Sequence, residues 1–285
     1  MPNEPINARR LRDWIFPEVV QTYTARDTML YALALGFGAD PGDRQQLRHV
    51  YEKDLLAFPT MAVTLGFDGP WTVPESGIDL THVLHGEQSI TLHRALPAAA
   101  TVRSRERITD LIDKGKDAII HSQRQLIDEA GACIATLESA LYCRGNGGFG
   151  GASEPMHQMT QPVPARVPDA VVDMPTLPQT ALLYRLSGDY ALLHADPDFA
   201  RSGGFERPIM HGLCTFGIAA HALVKGCANY DAGRLKSFQA RFCAPAFPGE
   251  TIRVELWRDG ALVSLRAWVK ERGVKVLDRG QAVLA

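Results

Sequence analysis

The 285 residues are 46% hydrophobic and 22% charged, with a formal net charge of −2. That composition can bury a core and is not that of a disordered chain. So small a charge offers no electrostatic grip on nucleic acid or on an anionic membrane surface, and no run reaches the roughly 18–20 apolar residues of a membrane span.

Cys133, Cys143, Cys214, Cys227 and Cys243 are odd in number and scattered, without a C-x-x-C spacing. They read as thiols in a reducing compartment rather than as a disulfide framework. The start, Met1-Pro-Asn-Glu-Pro5, has neither a basic nor an apolar leader region, and Gln281-Ala-Val-Leu-Ala285 is not a peroxisomal S-K-L address. A cytoplasmic protein is expected.

In chain order, a short helix is expected over 26–38, with Asp27 as its N-cap and Gly36 or Gly38 as its stop. Residues 58–67, apolar nearly all round, predict a buried helix. Segments 87–95, 100–112, 117–128 and 132–143 carry β-branched residues with partial alternation and predict an antiparallel meander. From Gly145 to about 180, glycines and then prolines predict an exposed, extended linker. The order then repeats: a strand at Gln179–Leu186, a short helical piece, an apolar helix from about Pro208 to Val224, and strands at 235–243, 250–257, 261–270 and 274–284. Pro59 answers to Pro208, and Pro97 to Pro248, which argues for a duplication. The expected fold class is α+β: each half a curved antiparallel sheet wrapped around a central apolar helix, the two sheets joined edge to edge. The expected division is residues 1–150, a linker 151–179, and residues 180–285.

The second copy carries Tyr184-Arg-Leu-Ser-Gly-Asp189-Tyr-Ala-Leu-Leu-His194, followed by Asp196-Pro197 and then Arg207-Pro208-Ile-Met-His211-Gly212. On a regular helix Asp189 and His194 would diverge by about 140°, so Gly188 is needed to turn both inward. Otherwise Asp189 is only a cap and His194 a packed core histidine. Gly212 near the start of a buried helix offers an orphan N–H on the positive end of the helix dipole, or simply permits close packing. Together the three are the minimum equipment for adding water to an activated thioester, or removing it. If Asp27 answers to Asp189, Ala32 stands at the His194 position, and the first copy has no acid/base pair.

Other signals are weaker. Gly145-Asn-Gly-Gly-Phe-Gly150 fits G-x-G-x-x-G, but prolines rather than a helix follow. His211-x-x-Cys214 lacks a second ligand pair at zinc spacing, so no metal is expected. His85-Gly-Glu-Gln88 is polar for a strand start and reads as a structural turn before it reads as a substrate contact. Arg103, Arg105 and Arg107 alternate along one solvated face. Lys236 and Arg241 are candidates for binding a cofactor phosphate.

At Val83-Leu-His-Gly-Glu-Gln88, Gly147-Gly-Phe-Gly-Gly151, Tyr184-Arg-Leu-Ser-Gly-Asp189, Leu193-His194, Asp196-Pro197 and His211-Gly-Leu-Cys-Thr-Phe-Gly217 the chain resembles the hydratase 2 group of MaoC-like, double-hotdog proteins. The resemblance covers nearly the whole chain. It implies (R)-specific hydration of trans-2-enoyl-CoA or the reverse dehydration, with Asp189 and His194 activating water and the Gly212 N–H binding the thioester oxygen. Catalysis would then belong to the C-terminal half. It further implies substrate contacts at Tyr190, Ala191 and His211, no cofactor beyond the CoA of the substrate, and a homodimer. One departure stands out: the family usually reads Gly-Asp-x-Asn-Pro-Leu-His, and here Ala191-Leu192 replaces Asn-Pro, removing an amide that would orient water or substrate. A non-catalytic acyl-CoA-binding protein and an acyl-CoA thioesterase are the competing readings.

Overall fold

The computed structural model describes residues 6–67, 76–78, 82–154 and 161–285. Residues 1–5 and Pro155, which bear on the sequence reading, lie outside them. Ten strands are described: β1 (Val19–Tyr23), β2 (Val83–Leu92), β3 (Ala100–Asp113), β4 (Ala118–Ile127), β5 (Cys133–Cys143), β6 (Ala170–Pro175), β7 (Leu235–Phe242), β8 (Thr251–Asp259), β9 (Leu262–Val269) and β10 (Val274–Leu284). They form one antiparallel sheet in the order β1-β3-β4-β5-β2-β7-β10-β9-β8-β6. The left half of that order mirrors the right, so the duplication is written into the strand pairing. The seam is β2 on β7, with Glu87 opposite Arg241 and Thr91 opposite Ser237, which covers the edge strand each half would otherwise expose.

The helices are α1 (Ala8–Arg12), α2 (Ala25–Ala34), α3 (Arg44–Leu47), α4 (Thr180–Tyr184), α5 (Pro197–Ser202) and α6 (Gly212–Cys227). In α6 every residue from Cys214 to Val224 is buried, as an all-round apolar helix requires. The central helix of the second half is thus as expected. The first half departs from expectation: 58–67 holds only a 3-10 segment, Pro59–Thr64. Its residues Pro59–Val63 are buried, so the apolar pattern marks burial correctly. Two of its six residues are threonine and one is valine, which are stiff at the first side-chain torsion and poor at propagating a helix. At Leu65 the backbone is already extended (φ −93°, ψ 142°).

Three further expectations are corrected. Gln179–Leu186 is not a strand: α4 and a 3-10 turn (Arg185–Ser187) occupy it. The proline-rich region is not linker throughout, because β6 pairs with β8 there from Ala170–Leu256 to Pro175–Thr251; its only proline is the last residue, where an edge strand tolerates one. The helix expected over 26–38 forms as α2 and is capped by Thr24 rather than by Asp27, whose carboxylate accepts from the Thr24 N–H and Oγ1, each at 2.8 Å. A second correspondence between the halves can be drawn besides Asp27 with Asp189. The Tyr31 and Tyr184 rings meet between α2 and α4 with centroids 5.7 Å apart. A register anchored on that pair sets Gly36 against Asp189 and Pro41 against His194. The glycine-rich stretch is no phosphate loop, since the N–H groups of Gly148 and Gly150 donate to the Asp113 carboxylate.

Candidate active site

The chain leaves α4 and its 3-10 turn at Gly188, whose φ of +118° is open to glycine and strained for other residues. That turn delivers Asp189. After it, Ala191 leads into a 3-10 turn, Leu192–His194. Asp196 then caps α5, its Oδ1 accepting from the N–H groups of Asp198 and Phe199, with Pro197 at the first helical position. The irregular backbone does what a helix could not: one carboxylate oxygen of Asp189 and one ring nitrogen each of His194 and His211 lie within 4.8 Å of one another.

Backbone carbonyls fix both rings. His194 Nδ1 donates to the Ile209 carbonyl at 2.9 Å, which leaves Nε2 with its lone pair. His211 Nε2 donates to the Asp189 carbonyl at 3.1 Å, tying the loop to the start of α6. The rings stack with centroids 3.7 Å apart and planes 28° from parallel. Burial holds the His194 pKa below its ordinary value, against the Ile209 carbonyl and the Asp189 carboxylate, which pull it up. His211 is lowered too, by burial and by the neighbouring His194. The base form of both imidazoles is therefore favoured at neutral pH. Stacking works against chelation, because lone pairs in nearly parallel ring planes cannot both point at one ion about 2.1 Å away.

Asp189 lines a cavity of about 410 Å³, together with Tyr184, Ser187, Gly188 and Leu213 from the second half and a larger wall from the first. Gly212 is the first residue of α6, where an N–H has no partner one turn back. A Cβ at that position would meet the Phe242 ring at 3.3 Å, so close packing and an open donor are both served by glycine here.

The remaining sequence candidates fare unevenly. His211 is buried and braces the loop without lining the cavity. Tyr190 is exposed and turns under the Arg185 guanidinium, 4.9 Å from its ring centroid, rather than toward the cavity. Ala191 donates its N–H to Asp189 Oδ1 at 3.2 Å, so its backbone steadies the carboxylate while its side chain offers nothing polar. Lys236 is the extra residue of an irregularity between β7 and β10, and its Nζ donates to the Gly233 carbonyl. Arg241 faces outward, opposite in phase to the buried Phe238 and Ala240. Neither basic residue joins the cavity. Arg105 pairs with Glu18 on the solvated face.

At His85 and Gln88 the less favoured of the two readings of the sequence holds. His85 and Gln88 line the cavity from β2 rather than forming a turn. A bulge at Gly86, between the pairs His85–Leu141 and Glu87–Ala140, re-aims this stretch. Burial pushes the His85 imidazole down to about 4, and its Nε2 has no partner among the described residues. The polar run at a strand start was the available signal.

His194 and Gly212 do not line the cavity; Asp189 does, and it carries the acid/base pair to a cavity shared by two halves of one sheet, an arrangement that defines a class of double-hotdog protein built for an activated acyl group. The comparisons with known proteins then place the chain. Residues 21–145 match the MFE-2 hydratase 2 N-terminal domain, and residues 159–279 the MaoC like domain. The chain is 41% identical over 249 residues to enoyl-CoA hydratase ChsH3 of Mycobacterium tuberculosis, covering 86% of each chain. It is 38% identical to the peroxisomal enoyl-CoA hydratase 2 of Arabidopsis thaliana, covering 92% of this chain and 90% of that one. A crystal structure of a MaoC-like dehydratase from Phytophthora capsici superposes with a TM-score of 0.86 at 36% identity, over 98% of this chain and 99% of that one. The chain belongs to the MaoC-like hydratase 2 family.

Proposed function

We propose that the protein is a hydro-lyase that adds water to trans-2-enoyl-CoA, giving (3R)-3-hydroxyacyl-CoA, or runs the same step backwards. The single observation that carries this reading is the approach of Asp189 to His194 and His211 within 4.8 Å, with Asp189 on the cavity wall. One water hydrogen-bonded at about 2.8 Å to each of two groups spans that separation. Held so, the water loses a proton to the Asp189–His194 pair as its oxygen attacks C3. The electron pair of the double bond moves toward the thioester carbonyl, where the Gly212 N–H meets the developing enolate oxygen. The pair then returns a proton to C2. The two groups share that proton, so the couple is treated as one unit.

No helix among the described residues is long and apolar enough to cross a membrane. The rest of the reading is a cytoplasmic homodimer serving fatty-acid metabolism, with CoA as part of the substrate and no other cofactor; five free cysteines fit the reducing compartment, and sedimentation checks the dimer. Loss of the enoyl-thioester ultraviolet band on adding enzyme to a panel of straight and branched enoyl-CoAs tests the activity. Thiol release without hydration would replace this reading with a thioesterase, and binding without either reaction would leave a carrier.

A further inference from the structure

The first half lines its part of the cavity with polar groups that a plain hydrocarbon chain does not ask for. On the inward face of β4, Ala118, Ile120 and Leu126 keep the apolar alternation, while Ser122 and Arg124 stand in the same phase. Glu106 of β3 lies directly across from Arg124, and Ser139 of β5 directly across from Ser122; all four side chains line the cavity. Ser122 donates to Glu106 at 2.8 Å and lies 3.0 Å from the Ser139 hydroxyl. The Glu106 carboxylate is thus held by a hydroxyl, with the Arg124 charge acting on it without an ion-pair contact.

Arg124 is the unusual member. It is only 8% exposed, and its charge is offset by the Glu106 carboxylate across the ladder without an ion-pair contact among the described residues. One terminal nitrogen donates to the Val63 carbonyl at 2.8 Å, the guanidinium lies 5.2 Å from the Phe67 ring centroid, and Nε has no partner among the described residues. A buried guanidinium with an idle donor is costly unless something fills it. His85 lines the same cavity as Arg124 and Asp189, so one continuous space joins the guanidinium to the reacting end. A thioester placed at Asp189 and Gly212 would therefore send the far part of its acyl group toward Arg124.

The geometry points to a substrate whose acyl group carries a neutral oxygen, a hydroxyl or a carbonyl, on its distal part, accepting from Arg124. The inference rests on the thioester reading above. A carboxylate at that place would meet Glu106 as well as Arg124, so the neutral oxygen is favoured over the anion. Glu106, Ser122 and Ser139 supply the complementary acceptor and hydroxyls that an alcohol can use. Arg124 is thus a specificity residue that holds the far end of the acyl group while the chemistry proceeds elsewhere.

Calorimetric titration of the full chain with octanoyl-CoA, its ω-hydroxy, ω-oxo and ω-carboxy counterparts, and CoA alone tests this without needing turnover. The ω-hydroxy or ω-oxo thioester is expected to bind about tenfold tighter than octanoyl-CoA, the order a hydrogen bond to a charged donor supports. Arg124→Met, which keeps bulk and removes the fork, should erase that preference and leave CoA alone unchanged; Arg124→Lys, charged but without the fork, should keep part of it. No preference in the wild type, tightest binding of the ω-carboxy thioester, or an equal loss on every ligand including CoA in Arg124→Met would each overturn the proposal. Absence of hydration with the preference intact would instead sink the hydro-lyase reading and leave this one standing.

Discussion

The two halves share a strand order and differ in what the sheet closes on. The second closes on α6, a sixteen-residue buried helix, and the first on a six-residue 3-10 segment. Where the helix is long, its apolar side chains fill the concave face. Where it is short, the strand faces are left to line a cavity of about 410 Å³, most of it walled by the first half. The halves have divided the work: one supplies the packed helix and the acid/base loop, the other supplies room. The lesson is that function in a duplicated fold can follow from shortening one element as much as from adding residues to the other copy.

The largest expected effect breaks the second half. Asp189→Asn and His194→Ala should each lower kcat by roughly 10²–10⁴-fold, the usual worth of a positioned acid or base. Melting temperatures should stay near wild type, since Asp189 is at the surface and His194 gives up one backbone contact. Full turnover in either variant would end the assignment. A smaller effect sharpens the first half. Val63 is buried and lines the cavity from the 3-10 segment. Val63→Phe would replace some of the lost helix volume, at a stability cost of about 1–3 kcal/mol for overpacking. The kcat/KM for a long enoyl-CoA is expected to fall about tenfold or more while crotonyl-CoA is spared; a parallel loss on both chain lengths would contradict the division of labour.

Much of this contrast is legible before any coordinates. The meander strands, α6, the Asp196-Pro197 cap and the loop that joins Asp189 to His194 follow from periodicity, capping chemistry and Gly188. Burial of 58–67 is legible too, but not its conformation, because an apolar run fixes where a segment goes and not which helix it forms. The strand expected at Gln179–Leu186 failed for a related reason: Tyr184 and Ala181 are buried in a helix one turn long, too short to show a period. β6 was hidden by the surrounding prolines. Arg124 did carry a signal, a charge at the buried phase of an alternating strand, but its meaning depends on the cavity, which only tertiary structure reveals. Lys236 and Arg241 lie on the outer face, away from the cavity. Their charge suggested phosphate, and the register turned them away from the site.

Acid should expose a cost that both halves share. His85, half-buried on the cavity wall, and His221, buried on α6, are both shielded from water, and that desolvation pushes each down to about 4. The unfolded chain takes up protons at these sites below about pH 6.5, while the folded chain stays neutral until about 4. Stability present above pH 6.5 is therefore lost as the pH falls through that window. The melting temperature should drop between pH 6.5 and pH 4, on the order of 5 °C or more for a chain of this size. His221→Gln, which can keep the contact to the Leu35 carbonyl made by Nδ1 at 3.0 Å, should reduce the drop. An equal slope in wild type and variant would show that His221 carries none of it.

The smallest expected effect concerns the other aspartate at a turn. Asp27 follows β1 and Asp189 follows the 3-10 turn after α4, and both accept backbone N–H groups, Asp27 from Thr24 and Asp189 from Ala191. What separates them is company: Asp189 has two imidazoles within 4.8 Å and a cavity beside it, whereas Asp27 caps the first turn of α2. Asp27→Ala should cost only about 1 kcal/mol, the value of a helix cap, and leave kcat and KM unchanged. Chemical denaturation with activity assays on the same preparation separates the two outcomes. A fall in kcat at Asp27 comparable to that of Asp189→Asn would mean that the first half takes part in the chemistry and that the halves are less divided than their helices imply.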